Sequence, residues 1–182
     1  SRAYINLAAV MENLGEIRLA RDYQKQAIQL GNKAGGISDE NIIQQSIALA
    51  SLWLADFDDV TLLIDQMRQT TLQSDVYLDS HTMDRLFLEG QLARVKGDFS
   101  MAMEIFTDLI DRARQTHDKE RILQGNLALA EVIFEPQILE EKTTRANVDI
   151  ALSMLDDAVA ANDDENPGVT VPAFCLLSNI HA

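Results

Sequence analysis

A short punctuation recurs three times along this chain, inside sequence whose apolar residues otherwise fall at helical spacing. A small residue, an acid and a bulky apolar residue follow one another as Gly15-Glu16-Ile17, Ala55-Asp56-Phe57 and Gly97-Asp98-Phe99. The three small residues lie 40 and then 42 positions apart. Their surroundings recur as well, with a small residue seven before each (Ala8, Ala48, Gly90) and a short one five after (Ala20, Val60, Ala102). A device repeated at this period marks a stack of similar units, because one such unit cannot bury its own apolar face alone.

The segments on either side of each punctuation repeat apolar residues at three- and four-residue steps, as in "INLAAVMENL" (5–14), "IIQQSIALASLWLA" (42–55) and "RLFLEGQLARV" (85–95). No run alternates over the length of a strand, so the chain reads as all α. The punctuation is then the tight turn between two antiparallel helices, and the small residues let those helices approach closely. A fourth unit opens at "ILQGNLALAEVIF" (122–134), with Ala128 in the small position, and closes with "NVDIALSMLDDAVAAN" (147–162). Between them "EPQILEEKTTRA" (135–146) is longer than the other turns, and reads either as a partner-contacting insertion or as the lead-in to a longer second helix. After the breaker-rich linker 162–172, "AFCLLSNIHA" (173–182) resembles the first helix of a fifth unit. The expected units span about 1–36, 41–74, 83–117 and 121–162, with a partial one at 173–182, in a single repeat domain belonging to a larger protein. Both ends expose apolar faces of incomplete units, Leu177 and Ile180 among them, so self-association through those ends is expected.

Charge narrows the partners. With 29 acidic and 15 basic side chains the formal net charge is −14, and nucleic acid, which needs clustered Lys and Arg, is excluded as a partner of this segment. The apolar runs fall far short of a membrane span, no signal peptide opens the sequence, and Cys175 is the only cysteine, so a cytoplasmic setting is the default.

The pattern resembles the tetratricopeptide repeat, most closely in "AYINLAAVMENLGEIRLARDYQKQAIQL" (3–30). Tyr4 stands at that family's first aromatic, Leu7-Ala8 at its Leu-Gly/Ala pair, and Gly15, Ala20, Tyr23 and Ala27 at its turn and packing positions. Gly90, Gly97, Phe99, Ala102 and Phe106 repeat the match; Ser51 and Val60 stand at family positions in a degenerate second unit. The closing proline of a 34-residue repeat is missing after Leu30, and the units are nearer 40 residues. Long units of this kind look like those of bacterial signalling proteins, either large ATP-dependent transcriptional activators or repeat-bearing diguanylate cyclases. The resemblance implies a right-handed α-solenoid that binds a protein or peptide, or another domain of its own chain, as a scaffold in signalling or transcription regulation. A sensor domain for a small molecule or signalling peptide is the alternative.

It also implies a binding groove lined by the first helix of each unit. By repeat position the lining includes Asn6 and Asn13, then Gln45, Leu49 and Trp53. Phe87, Gln91 and Arg94 follow, and then Asn126, Leu129 and Ile133. Trp53, Phe87 and Leu49 read equally as groove anchors or as core between repeats. The Lys/Asn/Arg clamp that holds an acidic chain terminus in chaperone-binding members is replaced by Ile5, Ala9, Ser46, Asp84 and Leu88, which argues against that ligand.

Chemistry is sparse elsewhere. His81, His117 and His181 have no ligand-like spacing. Asp56, Asp58 and Asp59 suggest a calcium loop, but Thr61 and Met67 stand where its Gly and Glu belong, so the turn reading is preferred. Cys175 lies on an apolar face and reads as packing. No catalytic residue, cofactor site or metal site is expected, and the chain reads as a binding module rather than an enzyme.

Overall fold

The computed structural model describes residues 2–33, 40–71 and 78–134, with 149, 152 and 153. Seven helices and no strand occur among them: α1 (Arg2–Asn13), α2 (Ile17–Lys33), α3 (Glu40–Trp53), α4 (Phe57–Thr71), α5 (Leu78–Val95), α6 (Phe99–Gln115) and α7 (Lys119–Ile133). The all-α expectation holds there. The insertion 135–146, nearly all of the fourth unit's second helix, the linker and the partial fifth unit, with Cys175, Leu177, Ile180 and His181, lie outside the described residues. The chain divides into two compact units, Ser1–Leu88 and Glu89–Ala182.

Each punctuation is the same hydrogen-bonded turn. After α5, the amide of Asp98 donates to the carbonyl of Ala93 at 2.9 Å and that of Gly97 to Arg94 at 2.9 Å. This is the Schellman pairing, which closes a helix through one residue in the left-handed region. Glu16 to Met11 with Gly15 to Glu12, and Asp56 to Ser51 with Ala55 to Leu52, repeat it after α1 and α3. Gly15 and Gly97 occupy the left-handed site at φ 76° and 81°, and Ala55 does so at φ 57°. The acid that follows starts the next helix. Its carbonyl accepts from Ala20, Val60 or Ala102, and the Asp98 carboxylate also caps the Met101 amide at 3.2 Å.

A fourth copy joins α6 to α7, where the sequence carries no glycine. Asp118 donates to Ala113 at 2.9 Å, His117 to Arg114 at 3.2 Å, and His117 takes the left-handed site at φ 56°. The Asp118 carboxylate caps the Arg121 amide at 3.0 Å. His117, which has no ligand-like spacing in the sequence, is therefore an exposed turn residue.

The second helices bury one stripe in common. Ala20, Gln24 and Ala27 on α2 correspond to Val60, Ile64 and Met67 on α4 and to Ala102, Phe106 and Leu109 on α6, and none is more than 5% exposed. The small residues of the first helices, Ala8, Ala48 and Gly90, are buried too. At Gly90 the approach is so close that a Cβ would lie 2.5 Å from the Phe106 ring, and at Gly125 it would lie 2.6 Å from Ile110. Gln24 is the exception in an apolar stripe: its Nε2 donates to Glu12 at 2.6 Å, tying α2 to α1 beside the tilted Tyr4–Tyr23 ring pair.

Candidate functional site

In the first unit, α2 packs against both α1 and α3, and α3 against α4. These contacts take up the α3 face carrying Ile47 and Ser51, which leaves another face open. Ile42 is 66% exposed and Trp53 83%, with Gln45, Ser46 and Leu49 half-buried between them. Ile42, Ser46, Leu49 and Trp53 follow the i, i+4, i+7, i+11 spacing that sets side chains on one side of a helix. At the same relative positions 40 residues earlier, α1 exposes Arg2, Asn6, Ala9 and Asn13. These four positions are mainly apolar on α3 and mainly polar on α1, which exposes Leu7 and Val10 elsewhere on its surface.

The remaining expected lining residues are placed differently. Phe87 is 8% exposed and Leu129 6%, while Gln91 and Asn126 are buried as well. Gln91, Asn126 and Leu129 are corrected from groove to core, and of the two readings open for Phe87 its burial favours core, since a buried side chain offers no contact surface to a partner. The reason lies in their helices. Met83, Asp84, Leu86, Leu88 and Ala93 on α5, and Leu123, Ala128, Ala130 and Val132 on α7, bury positions all round the helix. Repeat position fixes which side of a helix meets its own hairpin partner; it says nothing about what covers the other sides. Arg94 and Ile133 are half-buried. Arg94 is engaged within the fold: its Nε donates to Gln91 Oε1 at 3.1 Å, and its Nη1 lies 3.5 Å from Glu131 Oε2. Of the expected groove, the structure leaves Asn6, Asn13 and Trp53 well exposed, with Gln45, Leu49, Arg94 and Ile133 partly so.

Sequence reasoning missed a charged network where α2 meets α3 and α4. Arg21 Nη1 donates to Asp56 Oδ2 at 2.9 Å and to the fully buried Ser51 Oγ at 3.3 Å. Lys25 Nζ reaches Asp59 Oδ2 at 2.6 Å, and Ser51 Oγ donates to the same oxygen at 2.9 Å. Burial opposes ionisation of Asp59, yet the Lys25 and Ser51 hydrogen bonds and the Lys25 and Arg21 charges together hold its carboxyl below the usual carboxylate range. The signal was present in the sequence as two bases one helical turn apart and two acids flanking a helix start. Asp56 and Asp59 are thus structural anions facing cations, and Asp58 is exposed. Among the described residues no group of three His, Cys, Asp or Glu side chains is placed to hold a metal ion, and no helix is long and apolar enough to cross a membrane.

Compared with known proteins, the chain matches no family model, no curated protein and no solved structure.

Proposed function

We propose that this chain is a helical-repeat binding module of the tetratricopeptide kind, a right-handed α-solenoid that holds a protein or peptide partner within a larger cytoplasmic signalling or regulatory protein. The reading rests chiefly on Trp53, which is 83% exposed on the same helix face as the exposed Ile42. Leaving an indole in water forgoes the burial its large apolar surface offers, and exposed aromatic anchors are the residues that dominate protein interfaces. The repeated turn and the shared stripe of α2, α4 and α6 support the repeat architecture. Asn6 and Asn13 supply amides able to pair with a peptide backbone, while Ile42, Leu49 and Trp53 supply apolar anchors.

The test is affinity capture from a cell extract with the 182-residue chain, followed by titration of each retained protein against the chain and its Trp53→Ala variant. Substituting so exposed a residue changes stability by no more than about 0.5 kcal/mol, so the variant reports on binding. An affinity loss of about tenfold or more is expected. Equal affinity for the folded variant would move the contact off the α3 face.

A further inference from the structure

A second surface lies on the other side of α3. A cleft of about 540 Å³ opens between α2 and α4, with α3 beneath it. Ile47 and Leu63 form its buried base, and Gln29, Asn32, Leu62 and Gln66 its exposed rim. The Lys25–Asp59 ion pair joins the two walls toward the N-terminal ends of α2 and α4. Asn32 and Gln66 each stand seven residues further along their helices, about 10 Å away at the helical rise.

We propose that this cleft binds a short extended segment of neutral polypeptide, with one apolar side chain set down between Leu62 and Leu63 and its backbone along the amide-bearing wall of α2. Three features select that ligand. The cleft's cation and anion are paired with each other at 2.6 Å, so the lining offers little to a charged ligand of either sign. Gln29 and Asn32 each carry a donor and an acceptor, the complement of a peptide group. The trough between the ion pair and the Asn32 end accommodates about three residues at the strand rise of roughly 3.3 Å. This site is separate from the Trp53 face, since Ile47 and Ser51 lie on a different side of α3 from Leu49 and Trp53.

The experiment titrates the isotope-labelled 182-residue chain by NMR with the capped tripeptide acetyl-Ser-Leu-Ser-amide. Parallel titrations replace the central Leu by Asp or Lys, or use acetyl-Leu-amide alone. Saturable shifts of the Gln29 and Asn32 side-chain amide signals are expected with the Leu tripeptide, with a midpoint at or below about 5 mM. The midpoint should rise about tenfold or more in Leu62→Arg, whose exposed position leaves the fold intact, and should be unchanged in Trp53→Ala. No shift up to that concentration, equal shifts in Leu62→Arg, or equal binding of the charged tripeptides would overturn the proposal. Equally tight binding of acetyl-Leu-amide would also overturn it, by making the cleft a small-molecule site. Because Trp53→Ala alters the other face only, failure here leaves the reading of that face standing.

Discussion

Ala55 and His117 hold a backbone conformation that side chains of L-residues disfavour, at φ 57° and 56°. The Schellman pairing requires a left-handed residue at those points, and glycine supplies it at Gly15 and Gly97 without steric cost. Ala55→Gly and His117→Gly should therefore each stabilise the fold by about 1 kcal/mol in urea denaturation, and Gly97→Ala should destabilise it by a similar amount. A loss of stability in Ala55→Gly would contradict the turn geometry. At this scale the sequence was legible wherever glycine or the small-acid-apolar triplet marked a turn. The α6–α7 turn escaped because histidine does not announce a left-handed residue; the surviving signal was Asp118 directly after it, the acid that follows every other copy.

Between elements, the spacing of small residues was the most informative feature of the sequence. Ala8, Ala20, Ala48, Val60, Gly90 and Ala102 all lie in the interior, as helices that approach closely require. Gly90→Ala should cost about 1–3 kcal/mol, because the added methyl meets the Phe106 ring and must displace it. Pairing it with Phe106→Leu should recover part of that loss, and a cost near zero would mean α5 and α6 do not meet at Gly90. What stayed illegible was that α5 and α7 are buried on several sides, which is why Gln91, Asn126 and Leu129 read as lining, and Phe87 as lining or core, although all four are buried. The charged network yields a pH prediction. Asp59 is held below its unfolded value, near 3.9, so its contribution is complete above about pH 4 and is lost as pH falls through the lower folded value. Asp59→Asn should be less stable than the parent at pH 7, and the difference should shrink as pH drops below about 4. A difference that stays constant down to pH 2 would show that the ionised carboxylate adds nothing there.

For the whole molecule, the proposed role of Trp53 as a partner-binding anchor has a reporter built into the chain. Trp53 is the only tryptophan among the 182 residues, so indole fluorescence reads that single position. At 83% exposure the free chain should show the red-shifted emission of a solvated indole, strongly quenched by acrylamide, a neutral quencher unaffected by the net charge of −14. Adding a captured partner free of tryptophan, or one with its tryptophans replaced by phenylalanine, should shift the emission to the blue and suppress the quenching in proportion to complex formed. An emission spectrum and quenching constant that stay at their free values while the complex saturates would contradict the assignment of Trp53 as the anchor.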